Sequence, residues 1–251
     1  MDRKPLLAGN WKMHTNVQEA QQLAASVVQA AAKVSGRDVM IAPPYTALTA
    51  VESTISSSGV ILGAQNVHWE EKGAFTGEIS AAMLKDVGCE MVIIGHSERR
   101  HVFGETDQMI NKRVTGALRF GLTPVFCIGE TLEQREAGRT MTILENQVRA
   151  GLDNVALKSG SHLVVAYEPV WAIGTGKTAT EAQAQEAHSF IRNLLADIYE
   201  KNIAGQIRIL YGGSVKPENI DILMQQDDID GALVGGAALK AESFERIICF
   251  Q

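Results

Sequence analysis

The pattern of this chain predicts a parallel (β/α)8 barrel, an α/β fold built as a single domain over residues 1–251, and three observations carry that expectation. Short apolar runs alternate with helix-like segments eight times, at a spacing of about 30 residues, the usual size of a βαβ unit. The runs are apolar without alternation, as expected of strands covered on both faces. No linker or change of composition divides the 251 residues, and barrels commonly fill about this length as one unit. Periodicity alone leaves an open doubly wound sheet as the alternative. Nothing marks a sheet edge, which favours closure.

Residues 5–8 form the first apolar run, which ends in Gly9, Asn10, Trp11 and Lys12; residues 17–34, rich in Ala and Gln, form the first helix. The second strand, 39–42, stops at the Pro43-Pro44 pair, because proline cannot continue a central strand, and a helix follows to Ile55. A third strand, 60–64, leads into a long polar loop, 65–78, before a short helix around 81–86. The fourth strand, 91–95, delivers His96, Ser97, Glu98, Arg99 and Arg100 at its end, with Ser97 the expected helix cap. Strands at 123–128 and 163–168 follow, with helices across 131–152 and 180–202. Strand 207–211 gives way to Gly212, Gly213 and Ser214 and to a helix after Pro217, a residue suited to a first helical turn. Strand 231–234, Gly235, Gly236 and a helix to about Cys249 complete the eighth unit.

Composition narrows the function classes. The chain is 45% hydrophobic and 21% charged, within the globular range, and its net charge of −6 argues against general binding of nucleic acid or an anionic membrane. The three cysteines, Cys89, Cys127 and Cys249, are odd in number and widely spaced, which favours a reducing compartment over a disulfide framework. The N-terminal stretch MDRKPLLAGNWKM holds an apolar run too short for a secretion signal, and no apolar stretch reaches the roughly 20 residues of a membrane span. A cytoplasmic location and small-molecule partners are the expectation.

The stretch LVVAYEPVWAIGTGKT, 163–178, concentrates the functional signal. Pro169 ends the strand and leaves Glu168 at its C-terminal end, followed by an apolar loop punctuated by glycine. In a parallel barrel that edge is where ligands bind, so Glu168 is a candidate base under a lid. By itself it could equally be a solvated carboxylate. Barrel closure would bring it together with Asn10 and Lys12 after the first strand, His96 and Glu98 after the fourth, and the glycine turns after the sixth, seventh and eighth.

GNWKM (9–13), GAFTGE (73–78), GHSERR (95–100), CIGE (127–130), AYEPVWAIGTGK (166–177), YGGSV (211–215) and GALVGGA (231–237) occur in one order from end to end of the chain. In these motifs the sequence resembles the triosephosphate isomerase family. One departure is Ala238, where the family often has Ser, a detail on the phosphate side. The resemblance implies a TIM barrel that interconverts dihydroxyacetone phosphate and D-glyceraldehyde 3-phosphate through an enediol(ate), as a homodimer in which the 65–78 loop inserts into the neighbouring subunit and Thr76 approaches the partner's Asn10 and the partner's Lys12.

The residue types suit that chemistry. Moving a proton between adjacent carbons of a hydroxyketone phosphate needs a base, an electrophile for the oxygen and a grip on the phosphate. Glu168 is the expected base, its charged form disfavoured among Trp171, Ile173 and other apolar groups, which would strengthen it. Lys12 offers fixed positive charge to the phosphate and the oxyanion, and donors of this kind contribute on the order of 10²–10³ in rate; Asn10 stands beside it, or is only a turn residue after Gly9. His96, at the start of a helix, is the expected neutral donor, an arrangement for which triosephosphate isomerase is itself the standing example. Glu98 is implied to orient neighbours such as Lys12. Gly174, Gly213, Ser214, Gly235 and Gly236 are candidates for the phosphate grip through backbone N–H groups. Cys127 has no base spaced beside it and reads as a packed small residue beneath the site.

A P-loop would need Gly where Trp171 stands, no GxGxxG follows the first strand, and no His has HExxH spacing. No cofactor, nucleotide or metal is expected. A barrel for another sugar phosphate and a non-enzymatic scaffold on the same fold remain as readings. A scaffold, however, has no need of Lys12, His96 and Glu168 together.

Overall fold

A computed structural model describes residues 3–172 and 178–251. Eight parallel strands close into a barrel in sequence order: β1 (Leu6–Asn10), β2 (Asp38–Ala42), β3 (Val60–Ala64), β4 (Met91–Ile94), β5 (Thr123–Ile128), β6 (Val164–Tyr167), β7 (Arg208–Tyr211) and β8 (Gly231–Val234). Closure rests on the pairing of β1 with β8, from Leu6 opposite Gly231 to Gly9 opposite Val234. Gly231 has φ +142°, and a Cβ there would lie 2.0 Å from the Leu6 carbonyl oxygen. Only glycine permits that seam. The barrel replaces the open-sheet alternative.

The unalternating apolar runs are explained by two cores. Leu6, Ala8, Met40, Met91, Ile93, Val125, Cys127, Val164, Ala166, Leu210 and Leu233 pack inside the barrel. Their strand neighbours, such as Leu7, Ile41, Val92, Phe126 and Val165, pack outward against the helices. Successive side chains point to opposite faces, and both faces are dry.

Helix ends follow local chemistry. Asn16 and Glu19 form a capping box that starts Val17–Ala31, and Thr180 with Gln183 does the same for Glu181–Ile198. The expected helix across 180–202 is interrupted: Tyr199 is extended, and a short helix resumes at Lys201–Ala204. The span 131–152 likewise divides into Leu132–Glu136 and Thr140–Gly151. After β4 come Ser97–His101 and Asp107–Arg119, the latter outside the elements read from the sequence. The cap expected of Ser97 belongs to His96, whose Nδ1 accepts the Glu98 N–H at 3.2 Å. An imidazole nitrogen does what a serine oxygen was expected to do.

The N-terminal face of the barrel is tied by charge. Asp230 accepts from Arg3 Nε at 2.6 Å, from Arg192 Nη2 at 2.6 Å and from the Ile209 N–H at 2.8 Å. Asp38 pairs with Arg208 and Lys4. The opposite, C-terminal face is left for the site.

Candidate active site

Asn10 ends β1, and its Oδ1 accepts the Lys12 N–H at 3.0 Å. That turn holds Lys12 at φ +53°, in the left-handed region, a conformation that costs a non-glycine residue about 1–3 kcal/mol. Gln65 braces it by donating from Nε2 to the Lys12 carbonyl at 2.7 Å. So placed, the Lys12 side chain crosses to β8: a Cβ on Gly235 would lie 3.2 Å from Lys12 Cε. Lys12 Nζ meets Glu98 Oε1 at 2.7 Å, which supports the orienting role expected of Glu98.

Glu168 follows β6 and is 2% exposed. Its Oε1 lies 2.9 Å from His96 Nε2, and its Oε2 accepts the Ser97 N–H at 3.0 Å. With Nδ1 accepting from Glu98, the neutral His96 tautomer carries its proton on Nε2 and donates it to Glu168.

The electrostatics correct one expectation. Burial alone pushes the Glu168 carboxyl up, but the charge and hydrogen bond of His96, the Ser97 N–H and Lys12 outweigh it and hold the group below its ordinary value. Apolar surroundings therefore do not set its basicity here; its polar partners do, and Trp171 turns its own N–H to Glu130 at 2.9 Å. For His96, burial pushes the imidazole down, yet the neighbouring Glu168 and then Glu98 reverse this and raise it. The Glu98 N–H at Nδ1 opposes a second proton, while the carboxylates favour one, and the net shift is upward.

A cavity of about 460 Å³ is lined by Asn10, Lys12, His96 and Glu168 on one side and by Gly212, Gly213, Ser214, Gly235 and Gly236 on the other. Thus the structure gathers every described residue expected at the reacting and phosphate ends except Glu98, which stands behind Lys12 and His96. Gly174, Ile173 and the rest of the expected lid tip lie outside the described residues. Thr76 stands on the exposed loop between β3 and the helix Ala81–Asp86, away from this cavity. Cys127 is buried beneath Glu168; burial, then the Glu168 charge, pushes its thiol well above the ordinary range, so it is an inert packing residue.

Sequence reasoning missed several supports. Glu130, fully buried, accepts from Tyr167 Oη at 3.1 Å and from Trp171 Nε1, and pairs with Arg135 at 3.2 Å. Its position after β5, inside CIGE, was the available signal: a carboxylate at a strand end. Arg100 binds the Gly95 and Cys127 carbonyls and so ties β4 to β5. Lys216 and Lys240 also line the cavity.

The mouth pairs a carboxylate with an imidazole and an ammonium, and the glycine turns after β7 and β8 line the same cavity. Those are the groups for proton transfer within a small anion, so fold and site together define an acid–base enzyme of the barrel class. The sequence profile of the family described as triosephosphate isomerase matches residues 5–251. The triosephosphate isomerase of Syntrophotalea carbinolica is 55% identical over 249 residues, 99% of each chain, and that of Carboxydothermus hydrogenoformans 54% identical over 246 residues, 98% of each. The crystal structure of triosephosphate isomerase from Bartonella henselae aligns with TM-score 0.88 at 37% identity over 98% of each chain. The chain belongs to the triosephosphate isomerase family, aldose–ketose isomerases that interconvert dihydroxyacetone phosphate and glyceraldehyde 3-phosphate.

Proposed function

We propose that this chain performs the family's isomerisation with Glu168 as the base, His96 and Lys12 as the groups that hold the reacting oxygen, and the turns at Gly213, Ser214, Gly235 and Gly236 as the phosphate grip. The observation that carries the assignment is the bond between His96 Nε2 and Glu168 Oε1. Glu168 occupies the position at His96 Nε2 that a substrate oxygen must take, so base and electrophile meet at the reacting end.

Arrival of that oxygen at Nε2 displaces the carboxylate. Glu168 is then freed from its main partner; its side chain packs on Gly212, where a Cβ would lie 2.8 Å from Glu168 Cγ. The carboxylate then takes the proton from the carbon beside the carbonyl, and the electron pair moves onto the oxygen to give the enediolate. His96 Nε2–H and Lys12 Nζ stabilise the growing negative charge. The proton returns to the neighbouring carbon while the hydroxyl proton changes oxygen, and the carbonyl has moved. With the carboxylate gone from Nε2, the Glu98 N–H at Nδ1 is left to favour the neutral ring.

The chain acts as a homodimer in this reading, with Thr76 and its loop as the contact. Support comes from large apolar side chains left in water: Met13 directly follows Lys12, Phe75 precedes Thr76, and Val102 and Phe103 follow the His96 helix. Among the described residues no helix is long and apolar enough to cross a membrane. The cytoplasm and the absence of nucleic-acid partners are proposed on charge and cysteine use.

The deciding experiment is a coupled assay with glyceraldehyde 3-phosphate on the wild type and Glu168→Ala. Turnover is expected in the first alone. A wild type without turnover removes the isomerase reading, and an unchanged variant removes Glu168 as base.

A further inference from the structure

The main chain of Glu168 is held from both sides by the end of β5: its N–H donates to the Ile128 carbonyl at 2.7 Å, and the Val170 N–H donates to the Glu130 carbonyl at 3.0 Å. Between those two contacts lies Gly129, packed flat against the base. A Cβ on Gly129 would stand 1.8 Å from the Glu168 carbonyl oxygen and 2.6 Å from its carbonyl carbon, so no side chain fits. Glycine solves the approach but introduces the largest backbone freedom of any residue at the point that supports the base. Gln147, on the helix Thr140–Gly151, removes it. Its Oε1 accepts the Gly129 N–H at 2.7 Å and its Nε2 donates to the Gly129 carbonyl at 3.1 Å. The N–H and the carbonyl of one residue, on the two peptide units that flank its Cα, are both taken by one side-chain amide, a two-point contact that fixes orientation as well as distance.

We infer that Gln147 is a positioning residue for the isomerisation: by clasping Gly129 it sets where the backbone of Glu168 lies, and so where the carboxylate meets the substrate carbon. The inference rests on the reading of Glu168 as the base. A clasp of this kind acts on the geometry of proton transfer and leaves the phosphate grip, on β7 and β8, alone.

The test compares Gln147→Leu, which removes both bonds, with Gln147→Glu, which keeps an acceptor for the Gly129 N–H and loses the donor to its carbonyl. For Gln147→Leu, kcat should fall by about 10- to 100-fold, the scale of a misplacement of about 1 Å, while KM and the inhibition constant of inorganic phosphate stay within about twofold. Gln147→Glu should recover part of the loss. In a Glu168→Asp background, where the base is already short of its place, the Gln147→Leu factor should shrink by about threefold or more, since the two changes act on one distance. A kcat within about twofold of wild type, a fall in kcat matched by a rise in KM and phosphate constant, or an unchanged factor in the Asp background overturns the inference. If Gln147→Leu does not fold, Gln147→Glu decides by the same split between kcat and KM. Glu168→Gln is assayed alongside: retained turnover there overturns the base itself, whereas an inactive Glu168→Gln with unaffected Gln147 variants overturns the positioning role alone.

Discussion

Glu168 and His96 are joined across the barrel mouth, Oε1 to Nε2 at 2.9 Å, and both are almost wholly buried. The base is parked on the electrophile, and each sets the other's charge. Glu168→Gln keeps the shape and one acceptor oxygen, enough for one of the two donors, His96 Nε2 or the Ser97 N–H, so the fold should hold. Its kcat should drop by about 10²–10⁴, the usual contribution of a positioned base, with KM little changed. Steady-state assays in both directions check this.

The same bond makes a pH prediction. His96 is the leading group that holds the Glu168 carboxyl below its ordinary value against the upward push of burial. In His96→Asn that charge is gone and the upward push of burial is opposed only by the Ser97 N–H and Lys12, so the carboxyl rises from its wild-type position. The base is active when deprotonated; the acid limb of kcat/KM should therefore move to higher pH in the variant, from below the ordinary glutamate value of about 4.3 in the wild type. The substrate phosphate ionises identically in both proteins and cancels in the comparison. A limb that stays in place would show that His96 does not govern Glu168.

Lys12 is tethered by Glu98, and removing one or the other should have unequal effects. Lys12→Met deletes the fixed charge at the cavity and should cost about 10²–10³ in kcat/KM, with inorganic phosphate inhibiting more weakly. Glu98→Gln keeps the ammonium and a hydrogen-bond acceptor, so its loss should be the smaller of the two. Inhibition constants for phosphate, measured on both, separate charge from orientation.

At the far face, Asp230 holds Arg3, Arg192 and the Ile209 N–H together across the seam of the barrel. Asp230→Ala removes one partner of Arg192, which keeps Asp228, and leaves the buried Ile209 N–H without its acceptor, so the loss should be about 1–3 kcal/mol. Urea unfolding at a fixed protein concentration should register it, while kcat of the folded variant stays near wild type, because the site is at the other end of the strands.

Thr76 lies at the tip of an exposed loop, beside Phe75. In the homodimer reading Thr76→Arg places a cation in the subunit contact, and sedimentation should report weakened dimers or monomers with greatly reduced activity. A fully active dimer would remove the contact.

How much of this was legible beforehand depended on how local the cause was. The strands at 60–64, 123–128 and 231–234 match their runs because each is apolar and bounded by a turn signal. The helix Asp107–Arg119 was passed over, since its polar sequence carries its apolar face only as Ile110, Val114 and Ala117, a spacing visible once its packing side is known. The cap at His96 was missed because histidine rarely plays that part, and only the position of the Glu98 N–H shows it.

By itself, the sequence determined eight parallel strand–helix units and the list of polar residues at the strand ends, because two-sided burial dictates apolar runs, and its motifs pointed to the family; closure of the sheet came from the pairing of β1 with β8. Only the tertiary structure decided how those residues meet. Ser97 and Glu168 are 71 positions apart and hydrogen-bonded. The basicity expected from apolar walls was reversed by an imidazole, an amide and an ammonium brought in from β4 and β1. Charges of that kind act over a few ångströms in a buried site, and distance between residues is settled by packing rather than by order along the chain.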